Sequence, residues 1–160
     1  MKEKIKIAND ILSKQLSWIS AADSKVPSIF AINVVMLSVL AALIPPLANW
    51  TIFGAVITTL PTILLIGSMV SLTLVTFPRL VGPKGSLIYF GGITTKSEDS
   101  YVNEMTNIEE SIFLKDILTQ TYKNAEIAKS KYLYVKCAMG QTFISLPIWL
   151  IAVWFLYRLK

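Results

Sequence analysis

The sequence predicts an all-α integral membrane protein: three transmembrane helices, a cytoplasmic helical extension, and a long helix running into the last span. Three observations carry this. Of 160 residues, 54% are hydrophobic and only 16% charged, where soluble domains carry about a quarter. The charges are missing in blocks, none falling between Lys25 and Arg79 or between Cys137 and Arg158. The lysines and arginines that remain cluster in two segments, which sets an orientation.

Residues 1–25 read as an N-terminal amphipathic cytoplasmic helix. Ile5, Ala8, Ile11 or Leu12, Leu16 and Ile19 recur every three or four positions. A second stripe of Ser13, Ser17, Ser20 or Ala21, Ser24 and Ser28 either admits a neighbouring helix closely or forms a solvated face. Pro27 either opens a new helix in its first turn or kinks a continuous one.

Residues 26–78 read as a transmembrane hairpin. Val26–Ile44 reaches roughly 28 Å as a helix, close to the thickness of a bilayer core. Pro45-Pro46 marks a tight reversal. Ile52–Phe77 reaches roughly 39 Å, enough to span with tilt or with a kink at Pro61. Gly67 and Ser71 form a small-xxx-small pair suited to close helix packing. The first apolar stretch starts too late and runs too long for a cleaved signal peptide.

Residues 79–137 read as a cytoplasmic loop and helices. Gly82-Pro83 and Gly91-Gly92 bracket the apolar run Ser86–Phe90, which is either a brief strand or an aromatic plug at headgroup level. A helix is expected from Ser97 or Ser100, with Glu98 and Asp99 in or near its first turn. Tyr101, Met105, Ile108 and Ile112 give it one apolar face. A break near Asn107 follows. A new stripe then runs through Leu114, Ile117 or Leu118, Thr121, Ala125, Ala128, Tyr132 and Val135. From Ile108 one helix of roughly 75 Å continues to Tyr157. Residues 138–160 form the third transmembrane helix, with a re-entrant segment as the alternative.

Lys2, Lys4, Lys6, Lys14 and Lys25 precede the first span, the Pro45–Thr51 connection has no basic residue, and the middle segment carries eight. The N-terminus and the middle segment therefore face the cytoplasm of a multi-pass membrane protein. The lone Cys137 offers no intrachain disulfide and fits a reducing compartment.

The chemistry available is narrow. There is no histidine, which removes the commonest general base and metal ligand. No catalytic or metal site is expected, and Glu109-Glu110 reads as a solvated pair. The net charge of +5 is matched by membrane lipid as partner, since each lysine near an anionic surface contributes about 1 kcal/mol. No nucleic-acid polymer is needed. Within the membrane, Asn33, Gln141 and Thr142 are the informative polar residues. An amide in hydrocarbon requires a partner, and for Asn33 a bond to another helix is favoured over lining a pore. At the membrane edge Lys25 reaches outward to phosphate headgroups. Asp23 turns toward cationic groups, with Lys129, Lys131 and Lys136 as candidates.

Several motifs then fall in order. Trp18, Ala22-Asp23 and Lys25 lead into a span with Asn33. Tyr89-Phe90-Gly91-Gly92-Ile93 follows the second span. Ser100-Tyr101, Ile117 through Tyr122 and Lys131-Tyr132 precede the last. From about Leu16 to Trp154 this pattern resembles the Pycsar transmembrane effector family. The resemblance implies a bacterial antiphage effector that oligomerises and damages the inner membrane when a cyclic pyrimidine mononucleotide, cCMP or cUMP, appears on infection. It implies no other cofactor. A nucleotide monoanion would need cations and an aromatic platform. Candidates are Lys84, Lys96, Lys129, Lys131, Tyr89, Phe90 and Tyr132, each of which also reads as an ordinary interfacial anchor. Assembly into a homo-oligomer would draw on Trp18, Asp23, Lys25, Asn33, Gly67 and Ser71. The competing readings are a non-conducting membrane adaptor and a small transporter subunit.

Overall fold

The computed structural model describes residues 1–46, 49–79 and 82–159. It is all-helical, and no strand occurs among the described residues. The helices are α1 (Lys2–Asp23), α2 (Val26–Ala42), α3 (Ile52–Thr76), α4 (Phe90–Ile93), α5 (Glu98–Thr106) and α6 (Glu110–Leu159). Three helical stretches are long and apolar enough to cross a membrane, Lys2–Ala42, Ile52–Thr76 and Glu110–Leu159. The chain divides into two compact units. Met1–Ala22 and Pro78–Lys131 form the first; Asp23–Phe77 and Tyr132–Lys160 form the second. The reversal expected at Pro45-Pro46 runs into residues 47 and 48, which lie outside the described residues.

The second unit is inverted relative to a water-soluble domain. Val35, Val56, Ile63 and Ile144 are each 60% exposed, while Asn33, Ser68 and Ser145 are fully buried. Water would favour the opposite arrangement. In lipid the outer face has no reason to be polar, and every polar group must find a partner inside. Pro27 stands in the first turn of α2, where its missing N–H costs nothing. Thr51 caps α3, its hydroxyl accepting from the Gly54 N–H at 3.0 Å. Within α3 the hydroxyls of Thr58 and Thr62 donate to the carbonyls of Gly54 and Thr58, each at 2.8 Å, so neither is orphaned in hydrocarbon. An apolar cluster of Leu40, Ala152 and Leu156, flanked by Ile57 and Trp149, packs α2 and α3 on α6. The Trp149 indole N–H donates to the Met36 carbonyl at 2.8 Å. Phe53 meets Phe155 edge-on at 5.3 Å between centroids.

The first unit has a conventional core. Ala8 and Leu12 of α1 pack on Ile117 of α6, with Ile5, Ile88, Phe113 and Leu114 around them. The buried stripe of α1 is Ala8, Leu12, Gln15 and Ala22. This differs from the apolar count along the sequence: Leu16 is 51% exposed and Ile11 also faces outward, while Gln15 is inside. The serine stripe through Ser13, Ser17 and Ser20 is exposed. Ser97 caps α5, with Glu98 and Asp99 in its first turn, where carboxylates are favoured by the helix dipole. α5 ends at Thr106 with Asn107 as its C-cap. Ser86–Phe90 is neither strand nor long helix. The Ser86 hydroxyl accepts from the Ile88 and Tyr89 N–H groups at 3.1 and 3.0 Å, leading into the single turn α4. That turn lies so close to the preceding chain that a Cβ on Gly92 would sit 2.4 Å from the Ser86 carbonyl oxygen. Only glycine fits there.

Candidate functional site

The membrane unit contains a polar node joining all three of its long helices. Asn33 lies about two turns into α2, fully buried. Its Nδ2–H donates to Ser68 Oγ on α3 at 2.7 Å. The Thr142 hydroxyl of α6 donates to Asn33 Oδ1 at 2.9 Å. Ser68 Oγ and Thr142 Oγ1 are 3.0 Å apart. With the Ser68 hydroxyl donating to Thr142, the three side chains form a closed ring in which each donates once and accepts once. Such rings polarise their members cooperatively. The Ala138 carbonyl, 3.0 Å from both hydroxyls, offers a further acceptor.

One turn further along α3, Ser71 donates to the Gly67 carbonyl at 3.0 Å and approaches Gln141 Oε1 at 3.4 Å. A Cβ on Gly67 would meet Gln141 Nε2 at 3.0 Å. The small pair Gly67–Ser71 thus receives the Gln141 side chain of α6 within the same chain. At the other edge of this unit, Lys25 holds its ammonium 5.2 Å from the centroid of the Tyr132 ring, a cation–π pairing. Asp23 closes α1, half-buried.

The first unit holds the remaining residues singled out from the sequence. Tyr89 is half-buried before α4 and tilts against Phe90, with 4.6 Å between ring centroids. Phe90 is 59% exposed, and Trp18 on α1 is also exposed. Lys96 is ion-paired with Glu104 of α5. The Ser100 hydroxyl also donates to Glu104, and these bonds, that from Lys96 foremost, hold the Glu104 carboxyl below the usual glutamate range. Lys129 is exposed on α6 and Lys131 is buried on it. Tyr132, in the second unit, carries the Lys25 ammonium over its ring.

Sequence reasoning missed a cleft in the first unit of about 560 Å³. One wall is the loop through Lys84, Ser86 and Leu87; the other is the end of α5 and start of α6, with Asn103, Asn107, Ile108, Ile112, Lys115 and Asp116. Asp116 fixes the loop by accepting the Leu87 N–H at 2.8 Å, and the Tyr101 hydroxyl donates to the Leu87 carbonyl at 3.3 Å. Arg79, at the start of this unit's second segment, donates to the Ile127 carbonyl of α6 at 3.1 Å. A second cleft of about 470 Å³ shares Lys84 and is lined by Tyr89. The signal that could have found the larger one is the pairing of free lysines with a Gly-Pro loop. The partners lie some thirty residues apart, however, and only the fold brings them together.

These features define a small polytopic α-helical membrane protein: one unit is an apolar-faced bundle closed by a buried polar ring, and the other is a helical unit with a conventional core. The family model for the Pycsar effector protein domain, PycTM, matches residues 7–158, and the chain belongs to that family. It is accordingly a membrane effector of an antiphage system, of an effector family not known for catalysis. No curated protein and no solved structure matches the chain.

Proposed function

We propose that the chain responds to a cyclic pyrimidine mononucleotide made on infection, cCMP or cUMP, by oligomerising and breaching the inner membrane. The observation that carries this reading is the inverted second unit in a chain of this family: apolar outside, with Asn33, Ser68 and Thr142 bonded inside. Three helices enclose no aqueous path, so a breach requires several copies of the chain. Their largely apolar outer faces, with Ser38, Thr59 and Thr73 also exposed, permit lateral association, driven in lipid by packing and interhelical hydrogen bonds.

The N-terminus and the first unit face the cytoplasm on this reading, because the lysines flanking the first and second spans lie on one side. The nucleotide then arrives where the cyclase makes it. Residues 1–25 and 79–137 act as the sensing segments, and 26–78 with 138–160 as the membrane segments. Trp18, Asp23 and Lys25 mark the junction on the N-terminal side.

Co-expression with a pyrimidine cyclase tests the reading. Cells should lose membrane potential, reported by a potential-sensitive dye, only when chain and active cyclase are both present. Polarised, viable cells would point instead to a non-conducting adaptor. Solute-dependent uptake without death would point to a transporter subunit.

A further inference from the structure

We propose that the cleft between the Lys84–Leu87 loop and the α5–α6 corner is the binding site for a small mononucleotide monoanion. The inference rests on the nucleotide-responsive reading above and assigns it a place. Three features of the cleft carry it.

The first is size. A cleft of about 560 Å³ falls in the range that takes one drug-sized ligand, and it is too small for a polymer.

The second is charge. Lys84, Lys115, Glu104 and Asp116 all line the cleft, so its formal charges cancel. Their availability does not. Glu104 is bound by Lys96 and Ser100. Asp116 is bound by the Leu87 N–H. Lys84 and Lys115 form no ion pair among the described residues. Lys84 and Lys115 thus line the cleft with no carboxylate partner among the described residues, which leaves their donors for a phosphodiester.

The third is the polar edge. Asn107 Nδ2 donates to the Asn103 carbonyl at 2.8 Å and to Asn103 Oδ1 at 2.9 Å. These two bonds, both donated by Asn107, orient both amides. They leave Asn103 Nδ2 as a donor and Asn107 Oδ1 as an acceptor, neither bonded among the described residues. A donor beside an acceptor complements the amide-like edge of a pyrimidine base, which presents a carbonyl next to an N–H or a ring nitrogen next to an amino group. Ile108 and Ile112 supply an apolar wall for the face of the base, and Ile112 is 55% exposed. Phosphate, base edge and base face are therefore all provided for within one cleft.

Calorimetry on the full chain in detergent tests the site, with cUMP, cCMP, cAMP and inorganic phosphate as separate titrants. The wild type should bind a pyrimidine cyclic nucleotide, and phosphate alone should compete only weakly. The double variant Lys84→Glu/Lys115→Glu should bind roughly tenfold more weakly or worse, the loss of about one charge-assisted hydrogen bond. Phe90→Ala should bind as the wild type does. Asn103→Leu, which removes the donor without adding charge, should weaken nucleotide binding and leave binding of inorganic phosphate unchanged. Thermal melts, with Lys84→Gln/Lys115→Gln as a milder pair, separate lost binding from lost folding.

Undiminished binding in folded Lys84→Glu/Lys115→Glu would overturn this cleft while leaving a nucleotide-gated effector intact. Phosphate binding as tight as the nucleotide would overturn the role of the asparagines. A wild-type chain that binds none of the nucleotides at millimolar concentration would overturn the cleft and the ligand together, and depolarisation would then have to be tested without one.

Discussion

Asn33 of α2 donates to Ser68 of α3 at 2.7 Å, and neither side chain has any exposed surface. Thr142 closes the ring from α6. Removing Asn33 therefore strips partners from two other helices at once. Asn33→Ala should destabilise the chain by about 1–2 kcal/mol, since interhelical hydrogen bonds in membranes average well under the value expected for hydrocarbon. Thr142→Val should cost a similar amount. The double variant should cost less than the sum, by about 0.5–1.5 kcal/mol, because members of one network couple. Unfolding of the full chain by denaturing detergent, followed for the wild type and the three variants, measures that coupling. Strict additivity would show that the three side chains act as separate contacts.

Gly67 stands one residue from the ring and 3.0 Å, measured from an added Cβ, from the flexible end of Gln141. Two substitutions there should differ in sign. Gly67→Ala asks the Gln141 amide to yield by a few tenths of an ångström and removes a helix glycine, a gain of up to about 1 kcal/mol. It should be neutral or stabilising. Gly67→Leu overpacks α3 against α6 and should cost about 1–3 kcal/mol. Equal loss from both, in the same unfolding assay, would mean that backbone approach rather than the Gln141 side chain sets the limit.

The elements that were legible in the sequence are those whose causes are local. Ser97 precedes Glu98 and Asp99, so a capped helix start can be read from adjacent residues, and α5 begins there. The uncharged runs announce spans by length alone. Phase was harder. On α1 a choice between Ile11 and Leu12 shifts the stripe by a quarter turn, and the fold places polar Gln15 inward and Leu16 outward. Asn33 declared its need for a partner, but not which partner. Thr58, Ser68, Ser71 and Thr142 all carry hydroxyls at plausible depths, and helix rotation, which sequence does not encode locally, selects Ser68 and Thr142. Residue type near the membrane edge is all that points to the ligand candidates in the sequence. The structure gives Lys96 to Glu104 and stacks Lys25 on Tyr132. The 560 Å³ cleft depends on a loop meeting a helix corner, a long-range event with no periodic signature.

Glu104 provides a pH prediction outside the membrane. The Lys96 bond holds its carboxyl below the usual glutamate range, with help from Ser100. A carboxyl that is more acidic in the folded chain than in the unfolded chain stabilises the fold above the unfolded value. That contribution is lost as pH falls through the depressed folded value. Stability at α5 should therefore decline on acidification below the ordinary glutamate range, by a small amount because Glu104 is exposed to screening. In the full chain in micelles, the Glu104 carboxyl carbon shift should titrate below an ordinary glutamate, and Lys96→Ala should return it upward. An unmoved midpoint in Lys96→Ala would mean the ion pair does not persist in solution.

Asp116 carries the last prediction, because it ties α6 to the loop that walls the cleft. Its Oδ2 accepts the Leu87 N–H at 2.8 Å across 29 positions of sequence. Leu87 itself is buried, so without Asp116 its amide loses an ionic acceptor where water has poor access. Asp116→Ala should cost about 1–3 kcal/mol. Asp116→Asn retains an oxygen acceptor and should cost less. The local effect should exceed the global one: amide exchange at Leu87, Ile88 and Tyr89 should accelerate in Asp116→Ala while amides of α3 are unchanged. The cleft should loosen with the loop, since Lys84 rides on the same segment. Unchanged protection at Leu87 would show that the Tyr101 hydroxyl and the Ser86 turn hold the loop unaided.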